Sequence, residues 1–257
     1  MGSQRRRKKS RKKSRKSQPR SLKSPKSRGK AERVLREHDP GLEADDPRVA
    51  LLAERYAWLR GADLTRRATP PTKGTAALAR RTGDLLRKTV AARLEAQYPA
   101  LRDARDVDEL MDAFTTARLR SAVAHIDRVY YDGAYGRAVR QSRVPKPRLF
   151  MCDRPRARGV YARAEWGGDK PIHLMVWRET FCDDAGLWRR GCRKRIDGAA
   201  CDTPLEFVVG VVAHEMVHVL TGALLDRPAD HGELFLRYNH YFNGSRPRAY
   251  ENSSTCA

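Results

Sequence analysis

The stretch that follows Thr203 constrains the fold more than any other, because it is long and almost entirely apolar. Thr203-Pro204-Leu205-Glu206 has the form of a capping box with proline at the first helical position, which predicts that a helix begins there. Gly222 is the predicted end of that helix. The apolar positions between these points are Leu205, Phe207, Val208, Val209, Val211, Val212, Ala213, Met216, Val217, Val219 and Leu220. A helix with so little polar surface is expected to be buried in the core.

The motif HExxH interrupts this apolar helix at His214, Glu215 and His218. Histidines four positions apart lie on one helical face and can bind one zinc ion together. The glutamate beside the first histidine is placed to take a proton from a water at the metal. Because buried imidazoles and carboxylates need compensating partners, we predict one Zn²⁺ ion bound by the two histidines, with the glutamate as the catalytic base.

A third metal ligand is predicted from a second capping box, Asp230-His231-Gly232-Glu233, which opens a helix toward Gly244. His231 would lie in the first turn of that helix and face the metal. Glu233 is the alternative ligand, because some HExxH enzymes use a glutamate from a following helix. It already has a local role in the cap, so His231 is favoured. A structural histidine bonded only to backbone is the remaining interpretation.

The motif and the run His231-Gly232-Glu233-Leu234-Phe235 together resemble the SprT-like metalloproteases, which include the Spartan DNA–protein crosslink proteases. The resemblance covers about residues 115–245, including an apolar-periodic segment within 121–139 and three candidate strands. These strands are Arg148–Met151, Gly159–Ala164 and Ile172–Val176. The resemblance implies an α+β fold with a zincin-like metalloprotease core, in which a small mixed or antiparallel sheet packs on the HExxH helix. It also implies a zinc-dependent endopeptidase that acts on DNA-associated or DNA-crosslinked proteins.

Substrate is expected to add as a strand along an exposed sheet edge, as zinc peptidases of this kind commonly bind it. Ile172–Val176 is the predicted edge strand, with an internal position as the alternative.

The chain departs from the family in its cysteines. Many members carry a zinc ribbon with paired CxxC motifs, and no CxxC occurs here. The odd number and wide spacing of the five cysteines favour a reducing compartment over a disulfide scaffold. Cys182, Cys192 and Cys201 precede the metal helix, and a second metal site among them is less favoured than ordinary buried or loop thiols.

Charge is distributed unevenly along the chain, whose formal net charge is +22. Residues 1–30 hold 15 Lys or Arg and no acid, whereas residues 31–257 hold 38 basic and 31 acidic residues. We predict a disordered basic tail over residues 1–32 that serves nuclear import or contacts phosphate backbones. A merely solubilising tail is the alternative. The expected location is intracellular, nuclear or otherwise DNA-associated, without a membrane partner, since no signal peptide or bilayer-spanning run is recognised.

Three parts are expected in chain order: the tail, a helical region over residues 33–105, and the metalloprotease domain over residues 106–250. Helices are predicted to begin at Asp45-Asp46-Pro47 and near Asp106, with another from Thr75 to Ala96. A linker is predicted over residues 68–74. The helical region would either cap the protease core or form a separate bundle.

A cluster of basic and aromatic residues before the metal helix is a candidate DNA contact, because aromatic stacking beside phosphate-binding arginines holds single strands. The cluster comprises Trp188, Arg189, Arg190, Arg193, Lys194 and Arg195. A solvated loop is the alternative. Two other functions compete with the DNA-associated peptidase: a zinc peptidase with a duty such as processing assembly proteins, and a non-catalytic zinc-containing nucleic-acid-binding protein. Glu215 argues against the last, since a structural zinc site needs no such carboxylate.

Overall fold

The chain folds into eleven helices and six short strands in the part that the computed structural model describes. This mixture confirms the α+β class. Residues 1–24 of the predicted tail, and residues 60–72, which include most of the predicted linker, lie outside the described part. The described residues are 25–59, 73–153, 160–167, 170–189, 193–196, 199–225, 231–243 and 254–255.

Helix α1 (Pro25–Arg36) corrects the predicted boundary of the basic tail, which had been placed at residue 32. Ala31, Val34 and Leu35 are buried in the core, and Ser27 is buried beside them. These positions recur at helical spacing and form one narrow face. The high density of Lys and Arg on the other faces hides this pattern in the composition.

The helical region that follows packs into the core of the whole protein. Its helices are α2 (Pro47–Leu59), α3 (Lys73–Gln97), α4 (Pro99–Arg102) and α5 (Val107–Ala113). The predicted helix starts at Pro47 and near Asp106 are confirmed, and Asp106 caps α5 through the N–H of Glu109. Buried residues form one apolar cluster that extends from Ala31 to Tyr238. Of the two predicted arrangements, the region therefore caps the core and is not a separate bundle.

Helices α6 (Thr116–Tyr130) and α7 (Ala134–Gln141) are separated by a tight turn. Asp132 and Gly133 have φ angles of 52° and 76°, in the left-handed region that breaks a helix. The Asp127 carboxylate accepts hydrogen bonds from the N–H groups of Tyr135 and Gly136, both at 3.1 Å, and so caps the first turn of α7.

A three-stranded sheet follows, formed by β1 (Arg148–Cys152), β2 (Ala162–Gly167) and β3 (Lys170–Trp177) in the order β1-β3-β2. Strand β1 is parallel and β2 antiparallel to β3. The prediction that Ile172–Val176 forms the edge is wrong, because β3 is the central strand. Its inward side chains, Ile172, Leu174 and Val176, are fully buried. The edge strand beside the helix that carries the HExxH motif is β2, which begins at Ala162 instead of at residue 159.

The remaining small elements lie between the sheet and the metal helix or at the end of the chain. They are α8 (Arg178–Asp183), α9 (Ala185–Arg189), β4 (Arg193–Ile196), β5 (Ala199–Ala200) and β6 (Ser254–Thr255). Strand β4 pairs antiparallel with both β5 and β6.

The long buried helix α10 (Pro204–Leu225) begins as predicted. The N–H of Glu206 donates to Thr203 Oγ1 at 3.1 Å, and Glu206 Oε2 accepts from the N–H of Asp202 at 2.9 Å. The prediction that Gly222 ends the helix is wrong. The glycine lies inside the helix because the Trp166 indole packs against it: a Cβ there would lie 1.8 Å from Trp166 Cζ2.

Helix α10 is also long and apolar enough, by length and composition, to cross a membrane, contrary to the expectation that no run is long enough. Its 18-residue window has a mean hydropathy of 1.7, and 78% of that window is buried inside the protein. This burial fits the central helix of a folded core. Helix α11 (Glu233–Asn243) packs beside α10 and α3.

Replacing Gly222 with alanine is expected to lower the free energy of unfolding by about 1–3 kcal/mol, because the added methyl group must displace the Trp166 ring. Denaturant unfolding measures the change. Gly29→Ala is the matched control, since Gly29 also lies inside a helix and nothing lies within 4 Å of its added Cβ. The control should be stabilised by about 0.5–1 kcal/mol. Equal stability of the two variants would contradict the packing.

Candidate metal centre

Three histidine side chains converge at the middle of α10. His218 Nε2 lies 3.1 Å from His231 Nε2, and His231 Nε2 lies 3.3 Å from His214 Nε2. One ligand atom from each of the three residues lies within 4.8 Å of the other two. Within the described residues, these three histidines form the group that could hold a metal ion.

The donor set and its spacing fit a tetrahedral metal ion. Nitrogen ligands at about 2.0–2.1 Å from such an ion lie about 3.3 Å from one another, and the His218–His231 and His231–His214 Nε2 distances are 3.1 and 3.3 Å. Imidazole nitrogens suit several divalent transition metals. The residues present therefore fit a metal ion.

His231 reaches the group from the segment just before α11. The helix begins at Glu233, so His231 precedes its first turn and does not lie within it as predicted. Asp230 of the predicted capping box lies outside the described residues. Glu233, the alternative ligand, is exposed and does not belong to the metal-ligating group of the described residues.

Phe235 packs against the three imidazoles. Its ring is stacked on His218 at 4.2 Å between centroids, and it contacts His231 at 4.6 Å and His214 at 5.1 Å, both edge-on. Phe235 itself is buried. It thus restricts the rotation of each ring and helps to hold the nitrogens together. In the sequence, Phe235 is visible only as a phenylalanine four residues after His231. This spacing alone does not predict that its ring packs on the histidines.

Glu215 is bound by the edge of the sheet. Its Oε2 accepts a hydrogen bond from the N–H of Ala164 at 2.8 Å, and the residue is 8% exposed. The carbonyl of Tyr161 accepts from Trp177, so alternation along β2 directs the N–H of Ala164 away from β3 and toward α10. Sequence reasoning missed Ala164, because a backbone donor leaves no residue-type signal.

Two cysteines that precede the HExxH helix, Cys182 and Cys201, have raised pKa values. Burial raises the pKa of Cys201 to about 12, and burial together with a hydrogen bond to Asp108 raises the pKa of Cys182 to about 11. A metal-binding cysteine must be a thiolate, which these surroundings disfavour. Cys192 lies outside the described residues.

The described members of the predicted DNA-contact cluster differ in exposure and in their partners. Lys194 is 4% exposed and pairs with Asp184 at 2.9 Å, so its charge is not available to a phosphate. Trp188 is half-buried and lies 6.3 Å from the ring of Phe207. Arg189 is exposed but pairs with Asp108 at 3.1 Å. The aromatic core and Asp184 hold the Lys194 side chain, and contact of this cluster with DNA stays a prediction.

Arg195 is half-buried, with its Nε enclosed by protein. Arg190 and the side chain of Arg193 lie outside the described residues.

No protein-family model, curated protein or solved structure matches this chain. The site is therefore defined by its own geometry, in which three converging imidazoles lie beside a buried carboxylate and a sheet edge.

His231→Ala is expected to lower metal affinity by more than about 100-fold, since it removes one of three ligands. Titration of the purified chain with Zn²⁺ and Co²⁺, with metal content measured after dialysis, gives the affinity and a stoichiometry of one ion. His125→Ala is the control: this histidine lies on α6, bonded to Gln97, and is not part of the group. Unchanged metal binding by His231→Ala would contradict its assignment as a ligand.

Proposed function

We propose that the chain is a zinc-dependent endopeptidase with a zincin-like core of the SprT-like kind, acting on DNA-associated or DNA-crosslinked proteins. The observation that carries the proposal is the convergence of three imidazoles beside a buried carboxylate, which is itself bound to an edge strand. A purely structural metal site needs no such carboxylate.

His214, His218 and His231 would hold the zinc. Once bound, the zinc supplies Lewis acidity and lowers the pKa of water in the site. The histidines interact with one another and with Phe235, so the ligand set is substantially organised by the protein itself.

Glu215 acts as general base and then as general acid in this mechanism. It takes the proton of the water that attacks the scissile carbonyl and transfers that proton to the leaving amine. The hydrogen bond from Ala164 to Oε2 restrains the orientation of this carboxylate. Burial of the carboxylate limits competition from bulk solvent.

Strand β2 is the proposed docking edge for the substrate. The alternation that directs the N–H of Ala164 away from β3 also directs the backbone groups of Ala162 outward. An extended peptide can therefore pair with this edge next to Glu215. The proposed edge replaces β3, which is hydrogen-bonded on both sides.

The basic tail supports the choice of DNA-associated substrates. With 12 Lys or Arg in the 24 residues before α1 and no acid, it offers many salt-sensitive phosphate contacts. Such contacts concentrate the enzyme on nucleic acid without reading base sequence.

Glu215→Gln is expected to lower kcat by about 10²- to 10⁴-fold, because the amide keeps the shape but cannot accept the proton. Its zinc content should remain that of the parent. Cleavage of a DNA-binding protein such as a histone, followed by gel and mass spectrometry, measures the activity. A variant as active as the parent would rule out the mechanism.

The same assay with and without single-stranded DNA tests the substrate class. Cleavage should be faster with DNA, and the stimulation should decline as salt rises. Equal rates across a salt series would remove DNA from the proposal and favour a peptidase with another duty.

Ala164→Pro is expected to lower kcat by about 10- to 100-fold, because it removes the N–H that holds Glu215 without removing a bond to β3. Ala162→Pro is the control, since its N–H also points outward but lies two residues from the contact with Glu215. The control should mainly raise KM by weakening edge pairing. An unchanged kcat in Ala164→Pro, with zinc bound, would show that the hydrogen bond does not position the base.

A further inference from the structure

A groove lies on the other edge of the three-stranded sheet, away from the metal centre. Helices α6 and α7, strand β1 and the segment before it enclose a volume of about 660 Å³. Its lining combines basic side chains with one exposed aromatic ring. The residues that matter are Arg120, Asp127, Lys146, Arg148 and Phe150.

The charge of this groove is positive and available. Arg120, Lys146 and Arg148 are exposed, and no described carboxylate forms an ion pair with any of them. Asp127 is the one acid in the lining, and both of its oxygens accept hydrogen bonds from backbone N–H groups of α7. Three cations that pair with no described carboxylate therefore face one concave surface.

Phe150 is unusual among the described residues because it is a large apolar side chain that is 36% exposed, a value shared there only by Leu225. Its position on β1 places it on the same side of the strand as Arg148, two residues before it. His173 of the neighbouring β3 holds the ring edge-on, with centroids 5.2 Å apart and planes at 75°. The ring is thus supported on one side and open to solvent on the other.

We propose that this groove binds single-stranded nucleic acid, with phosphates on Arg120, Lys146 and Arg148 and a base stacked on Phe150. A positively charged groove with an exposed aromatic ring is how proteins hold unpaired strands. Stacking requires a base that is not already enclosed in a duplex, so a single strand fits better than a double helix.

The location links the groove to cleavage. Strands β1 and β2 lie on opposite sides of β3, so the two edges are separated by two strand spacings, about 10 Å. A nucleic acid bound at β1 therefore brings the proteins attached to it near the peptide-docking edge at β2. This link rests on the proposed peptidase function, whereas binding itself does not.

Binding is tested with the full chain carrying Glu215→Gln, which prevents self-cleavage. Fluorescence anisotropy with labelled ten-nucleotide dT and rU strands gives the affinity over a salt series. Arg120→Ala with Arg148→Ala should weaken binding about tenfold and reduce the salt slope by about 1.4, which corresponds to two lost phosphate contacts. Weaker binding of either oligonucleotide by this double variant supports the groove as the binding site. The oligonucleotide whose affinity falls identifies the nucleic acid as DNA or RNA.

Arg33→Ala with Arg81→Ala is the matched control for charge. Both arginines are exposed on helices and do not line the groove. Replacing them removes the same net charge as the groove double variant does. Their loss should change affinity within about twofold, because neither arginine lines the groove. Equal weakening by the two double variants would overturn the proposal.

Phe150→Ala tests the stacking contact and should weaken binding about tenfold with the salt slope unchanged. Leu225→Ala is the matched control, since Leu225 is equally exposed and lies at the end of α10. Photocrosslinking of 5-iodouracil strands should label the peptide that contains Phe150. Labelling confined to residues 1–30 with unchanged affinity in the groove variants would make the tail the anchor and overturn the proposal.

A polyglutamate peptide tests whether the groove binds an acidic protein segment and not a nucleic acid. If the groove variants lost peptide binding while keeping both oligonucleotides, the groove would be an acidic-protein site and the proposal would fall. Failure of the peptidase alone is distinguishable: zinc-dependent cleavage would be absent while the groove variants still lost strand binding.

Discussion

Burial of helix α10 on nearly every side is the constraint on which the rest of the structure depends. The helix packs against α3, α6, α7 and α11 and against the three-stranded sheet. Water is therefore excluded from most of its length, and a polar side chain there must be matched by the protein or by a ligand. The HExxH residues meet this requirement by clustering with His231 and with the edge of the sheet.

The same burial explains which parts of the structure were predictable. The apolar run and its capping box identify α10 and its start from local pattern alone, and the i, i+4 spacing places His214 and His218 on one face. The convergence of His231 was predicted from the order of motifs. These signals are short-range, so they remain readable in one sequence.

The sequence predictions were wrong where contacts between residues distant in the chain determine the structure. Strand order cannot be read from Ile172–Val176, because a buried central strand and a buried edge strand have the same composition. Gly222 resembles a helix end, yet it serves the close approach of Trp166. Lys194 looks like a surface charge until Asp184 and the ring of Phe207 are placed around it. Ala164 acts through its backbone, which no residue type reveals.

The contact between Trp166 and Gly222 also fixes the register of β2 along α10. The indole fits against the helix only where a side chain is missing, and the neighbouring positions Thr221 and Ala223 both carry one. A slip of β2 by one residue would turn Arg163 and Glu165 toward the helix and move the Ala164 N–H off Glu215. A missing methyl group one turn beyond His218 thus acts as an alignment mark between the sheet and the buried carboxylate of Glu215.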